Sequence, residues 1–172
     1  MMAIARPDPA LYGPFGRYMS LVPGPDVLHF LEMQLADTLG LLKGLSDAES
    51  LALHPPYTWT IREVIGHITD AERIFAYRAL RFGRGDATLL PSFEENDYVR
   101  MANFNQWPLG ELLDEFAMVR RATLALFRHL NAEALQRKGV ASGITLTPAA
   151  LAYAIAGHAE HHLTIVRQRL GK

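Results

Sequence analysis

His158 and His162 stand four residues apart in the run Gly157-His158-Ala159-Glu160-His161-His162. On a helix that spacing stacks two side chains one above the other, with Cβ atoms about 6 Å apart, so both imidazoles can reach one ion. They continue an apolar stripe, Leu151, Ile155, His158, His162 and Ile165, with the spacing of a core-facing seam. A third histidine, His67, is the one polar member of a second stripe, Val64, His67, Ala71 and Ile74. An isolated core histidine must find hydrogen-bond partners or stay neutral and unsatisfied, at a cost of roughly 1–3 kcal/mol. Three of them on inward faces repeat that cost, and a divalent ion about 2.0–2.1 Å from each nitrogen removes it. Three imidazoles also leave at least one coordination position for water or substrate, the arrangement of a reactive centre rather than a closed structural one. His67, His158 and His162 are therefore the candidate ligands of one divalent transition-metal ion. Imidazole donors suit nickel and zinc alike.

The other polar residues near these stripes have simpler readings. His161 lies about 100° around the helix from His162, at the rim of the centre or in a supporting position. His29, His54 and His129 are scattered and read as surface or loop residues. Asp70, one turn beyond His67, is a candidate acceptor for orienting the imidazole. Glu63 is explained by helix capping, and Glu72 faces away from His67 and reads as solvated or paired. Two zinc-protease patterns fail. HExxH needs Glu where Ala159 stands, and the inverted HxxEH pattern meets Glu160 one residue early. Gly83-Arg84-Gly85 lacks the spacing of a phosphate loop and reads as a helix end.

Four long helices must position these side chains. The first is expected over Asp26 to Leu45, with one stripe of Val27, Leu28, Leu31, Leu35, Leu39 and Leu42. The second starts at Thr60, with Glu63 completing a capping box and Trp59 and Val64 a hydrophobic staple, and runs to about Phe82. The third follows Trp107-Pro108 and carries Leu112, Leu113, Phe116, Val119, Leu124 and Phe127 to about Leu130, with Pro108 at its first position. The fourth begins at Thr147-Pro148 and runs to Leu170. Helices of about 20 residues are roughly 30 Å long, a natural length for bundle members. The expectation is an all-α four-helix bundle in residues 26–172 behind an irregular Pro- and Gly-rich arm, residues 1–25, with no alternating stretch that argues for a strand. The connection over residues 83–107 is long, carries Phe93, Tyr98, Phe104 and Trp107, and is expected to hold a short helix near Glu94 to Asn103. A connection of that length is a candidate pocket wall.

Composition sets the outer limits. A chain of 172 residues, 49% hydrophobic and 20% charged, can build one sizeable core. Seventeen basic and eighteen acidic residues give a net charge of -1, which offers no electrostatic case for nucleic acid or an anionic membrane. No window reaches the roughly 18 uninterrupted apolar residues of a membrane span, and the first 25 residues lack the apolar run of a signal peptide. The absence of cysteine rules out disulfides and thiolate ligands and fits a cytoplasmic protein.

The segment Trp59-Thr60-Ile61-Arg62-Glu63-Val64-Ile65-Gly66-His67-Ile68-Thr69-Asp70-Ala71-Glu72, followed about 90 residues later by Gly157-His158-Ala159-Glu160-His161-His162, resembles the DinB/YfiT-like superfamily. The resemblance extends from about residue 26 to the end. It implies a four-helix bundle with nickel or zinc on three histidines, which fall by motif on His67, His158 and His162, and a homodimer. Characterised members include thiol-dependent transferases using bacillithiol, mycothiol or glutathione, and a maleylpyruvate isomerase, while most members have no established reaction. Many members follow the last histidines with Arg-Gly-Gln, where this chain has Leu163-Thr164-Ile165. The ligands survive that departure, whereas the substrates of those members do not carry over with them. The expected function is a metal-dependent transferase acting on a small-molecule thiol and an unknown electrophile. The alternatives are a metal-dependent hydrolase and a non-enzymatic, metal-stabilised stress-response or binding protein.

Overall fold

The computed structural model describes residues 4–172, so residues 1–3 of the expected arm lie outside the described residues. In chain order the elements are α1 (Pro14–Met19), α2 (Val27–Leu42), α3 (Asp47–Leu51), α4 (Ile61–Gly83), α5 (Glu95–Ala102), α6 (Leu109–Arg128), α7 (Ala132–Gln136), β1 (Gly139–Ala141), β2 (Ile144–Leu146) and α8 (Pro148–Arg169). Helices α2, α4, α6 and α8 form the bundle. α4 packs on α8 and α6, and α2 packs on the same two, so α4 and α2 stand diagonally opposite.

Local chemistry explains where the bundle helices begin. Asp26 caps α2 by accepting from the His29 N–H. Thr60 and Glu63 form the reciprocal capping box of α4, satisfying two backbone donors that a helix start leaves without partners. Thr147 caps α8 ahead of Pro148, whose missing N–H costs nothing in the first turn. At α6, Pro108 occupies the cap itself rather than the first helical position.

The apolar interior falls into two clusters, one around Leu31, Phe82, Phe127 and Leu151, the other around Leu42, Ile65, Phe116 and Val166. Between them every bundle helix contributes buried polar groups: Gln34 and Thr38, His67 and Glu72, Arg120 and Thr123, and His158. The candidate ligands belong to this polar layer at mid-bundle.

Two regions depart from the expected all-helical bundle with an irregular arm. Residues 139–146 form a two-stranded antiparallel hairpin with Val140 opposite Thr145. Ser142 (φ 54°) and Gly143 (φ 75°) close it with positive φ at both central residues, the conformation that matches strand twist in a two-residue loop. The arm is ordered too. A 3-10 turn at Pro9–Tyr12 leads into α1, and Ile4, Met19 and Val22 are buried. The reason lies in α8, which is buried all around from Pro148 to Ala159. Its two bundle neighbours, α4 and α2, cover only part of such a helix, and the arm with α1 covers much of the rest. The Tyr153 hydroxyl donates to the Pro25 carbonyl at 2.8 Å, and Arg6 ties the arm together through the Met19 and Val22 carbonyls.

Gly157 makes that approach possible, since a Cβ there would run into the Tyr18 backbone carbonyl. Gly157→Ala should lower stability by about 2–3 kcal/mol, as over-packing of a close contact does. Urea denaturation checks this, and a loss below about 0.5 kcal/mol would show that the arm is not held against α8 at this point.

Candidate metal centre

α4 presents His67, and α8 presents His158 and, one turn later, His162. His67 Nε2 and His158 Nε2 lie 3.1 Å apart. The three rings meet edge to face with centroids 4.7–4.9 Å apart. Each offers one nitrogen, and the three nitrogens lie within 4.8 Å of one another. With metal–nitrogen bonds of about 2.0–2.1 Å, two nitrogens at the His67–His158 spacing subtend roughly 100° at an ion, between the cis-octahedral and tetrahedral angles. Three neutral imidazoles on two packed helices thus fit a divalent ion.

Aromatic side chains enclose the rings. Trp59 lies against His67 (centroids 4.8 Å) and stacks on His162 (6.3 Å, 23° between planes). Tyr18 of α1 meets His158 edge-on at 5.1 Å, and Phe75 does so at 5.9 Å. Burial therefore opposes charging. The pKa of His67 is pushed down from 6.5 to about 4 by desolvation, and that of His162 to about 3 by desolvation and then by His67. His158 is held well below its ordinary value by burial and by its two histidine neighbours. All three are neutral near pH 7, the state in which imidazole binds metal.

A histidine kept neutral by burial takes up its proton at lower pH in the folded chain than in the unfolded chain. Between pH 6.5 and about 4 the unfolded chain binds the extra proton, so acid favours unfolding. Stability of the chelated protein should be full above pH 6.5 and fall steadily below it. His67 alone accounts for about 3 kcal/mol at 1.4 kcal/mol per pKa unit. Urea titrations with chelator at pH 7.5, 5.5 and 4.5 measure the slope. It should shrink in a His67→Gln, His162→Gln double variant, and an unchanged slope would mean the rings titrate as in water.

The remaining candidates sort as follows. His161 is half-buried beside Tyr18 (centroids 5.6 Å) and beside His162, at the rim. His29 and His129 are exposed, and His54 sits in a loop against Arg169. Asp70 does not orient an imidazole: its carboxylate bonds Arg73, which in turn bonds Glu115 of α6. Three residues beyond His67, its side chain has turned toward the α4–α6 side of the helix. Glu72 is paired and not solvated. It receives three hydrogen bonds of 2.9–3.0 Å from Arg120, whose side chain is fully buried. Arg120 also donates to the Leu31 carbonyl and to Gln34, and Gln34 donates to Glu160, between the two α8 ligands.

The long connection is a wall of the site. Phe104 packs where Gly66 leaves room next to His67, and a side chain at Gly66 would overlap its ring. Two cavities flank the histidines. One of about 220 Å³ reaches His158 and is lined by Phe93 and Glu95 of the connection. The other, about 280 Å³, reaches His162 and is lined by Trp59 and by Asn96 of α5.

A family model of the DinB superfamily matches residues 31–166, which takes in all three histidines, the whole of α4 and α6 and most of α2 and α8. The chain belongs to the DinB superfamily. No curated protein matches it. Among solved structures this DinB chain is similar to YfiT from Bacillus subtilis, with a TM-score of 0.75 and 17% identity over 84% of this chain and 86% of that one. YfiT is described as a probable metal-dependent hydrolase with an unusual four-helix bundle topology. At that identity the likeness establishes the fold, a DinB/YfiT-like four-helix bundle. Among the described residues of this DinB chain, no helix is long and apolar enough to cross a membrane.

Proposed function

We propose that the chain is a metal-dependent transferase in which His67, His158 and His162 hold one nickel or zinc ion and the second substrate is a low-molecular-weight thiol. The observation that carries this reading is the pair of cavities, one reaching His158 and the other His162, on either side of one cluster of neutral imidazoles. A transfer between two molecules needs a berth for each beside the same centre. The ion, when bound, supplies the positive charge that lowers the pKa of a coordinated thiol, and the thiolate is the effective nucleophile. The protein's own part is placement and exclusion of water. The α4 and α8 backbones fix the three rings, while Trp59, Tyr18 and Phe75 cover them. Cytoplasmic location and a homodimer belong to the same reading.

Hydrolysis is the second reading, favoured by the description of YfiT. It needs one substrate berth and a water rather than a thiol. Metal analysis followed by turnover assays separates the two. About one ion per chain, with consumption of glutathione, bacillithiol or mycothiol by an electrophile such as monochlorobimane only when the loaded protein is present, supports the transferase. Turnover of model esters that is indifferent to thiol supports the hydrolase. Metal without either activity leaves a metal-stabilised binding protein, and no metal after reconstitution ends both enzyme readings.

A further inference from the structure

Arg78 of α4 is 2% exposed, yet it pairs with no carboxylate among the described residues. Its Nη2 donates to the Pro91 carbonyl at 2.8 Å and to the Ser142 hydroxyl at 3.0 Å. Both partners are neutral, and the guanidinium has five N–H donors to place. A buried charge without an opposite charge is costly, and what lies over this guanidinium is the Phe75 ring, 5.7 Å away. Arg78 lines the cavity of about 220 Å³ that reaches His158. A second arginine, Arg17 of α1, lines the same cavity and, among the described residues, hydrogen-bonds only the Tyr18 hydroxyl. The rest of the lining includes the rings of Phe15, Phe75 and Phe93, and its one carboxylate is that of exposed Glu95.

We infer that this cavity is a subsite for a small, partly apolar carboxylic acid, its carboxylate held by Arg78 and Arg17 and its apolar body covered by Phe15, Phe75 and Phe93. A planar guanidinium fork matches a carboxylate in two parallel hydrogen bonds. The volume lies below the roughly 300 Å³ at which pockets begin to take drug-sized molecules, so the acid is small. Placement beside His158 makes this acid one of the two reactants, and that assignment rests on the proposed function. Carboxylate recognition itself rests only on Arg78, Arg17 and the cavity.

The hairpin and the long connection build the subsite together. Leu90 bridges to the hairpin through the Val140 carbonyl and the Ser142 N–H, which sets Pro91 and Ser142 over Arg78. The positive φ at Ser142 turns its hydroxyl to the guanidinium.

The test is titration of the chelated protein and the zinc-loaded protein with phenylacetate and with its neutral isostere phenylacetamide at pH 7.5, read by calorimetry and by NMR shifts. Phenylacetate should bind both forms, and the amide at least about tenfold more weakly. Arg78→Gln should weaken phenylacetate about tenfold or more, and exposed Arg17→Gln about two- to threefold. If Arg78→Gln does not fold, Arg17→Gln and the acid-to-amide ratio decide. Equal binding of acid and amide, no binding of either, or affinity indifferent to Arg17 and Arg78 would overturn the subsite. Acid binding that persists in a chain that takes up no metal would keep the subsite and discard the metal-dependent reading. Zinc uptake without acid selectivity would do the reverse.

Discussion

Replacing His158 with alanine should leave the protein unable to hold its ion at micromolar concentrations. Four-ligand zinc centres contribute roughly 10–16 kcal/mol, about 3 kcal/mol for each ligand, so loss of one weakens binding by on the order of a hundredfold. His158 is the natural choice because it faces His67 at 3.1 Å and is buried, with Tyr18 and Phe75 against its ring. Thermal unfolding gives an independent readout, since an ion that binds only the folded state adds about 4 kcal/mol at a thousandfold excess over its Kd. For a chain of this size that raises the Tm by about 10 °C. The wild type should show this shift on adding zinc or nickel, and His158→Ala and His162→Ala should not. His161→Ala, at the rim, should keep it. Equal metal content in the wild type and His158→Ala would place any ion elsewhere.

Glu72→Ala should destabilise the fold by about 3–5 kcal/mol, because it leaves the Arg120 guanidinium charged, buried and without its partner. The pair is bidentate and shielded from water, and among the described residues Arg120 has only the neutral Leu31 carbonyl and Gln34 as further hydrogen-bond partners. The Tm should drop by roughly 10 °C or more at 2–4 °C per kcal/mol. Exchanging both partners for apolar residues, Glu72→Met with Arg120→Met, should recover most of the loss, since a well-packed apolar pair avoids the desolvation of two charges. A single-variant cost below 1 kcal/mol would mean that water reaches the pair. Calorimetry on the two singles and the double completes the cycle.

Much of this architecture was readable from residue order because the helix boundaries are written in local chemistry. Thr60 with Glu63, Thr147 with Pro148 and Asp26 at α2 act within one turn of themselves, so no knowledge of the rest of the chain is needed to find them. The histidines were legible for a related reason: a polar residue on an otherwise apolar stripe has to be explained. Arg120 and Glu72 obey the same rule, Arg120 sitting in line with Phe116, Ala117, Thr123 and Leu124, and Glu72 with Ile68, Phe75 and Ala79. Their being charged disguised them, since a charge on a helix ordinarily marks its wet face. The arm and the hairpin were not legible as structure because six-residue and three-residue elements carry too few positions to display a period. Their signals were indirect: an α8 sequence too apolar around its whole circumference, and a Ser142-Gly143 pair suited to a tight turn. Arg78 lay beyond reach for another reason, since its isolation depends on where Pro91 and Ser142 arrive from distant parts of the chain.

The seam between the arm and α8 joins residues far apart in sequence, with Tyr153 and Pro25 separated by 128 positions. Closing a loop of that length costs entropy before any contact in the seam returns it, whereas the α2, α4, α6 and α8 helices gain their internal bonds locally. The seam should accordingly form after the rate-limiting step of folding. An interaction absent from the transition state resists escape from the native state without speeding arrival at it. The arm is then a kinetic clasp: loosening it at Gly157 should shorten the lifetime of the folded protein and leave its rate of folding nearly unchanged.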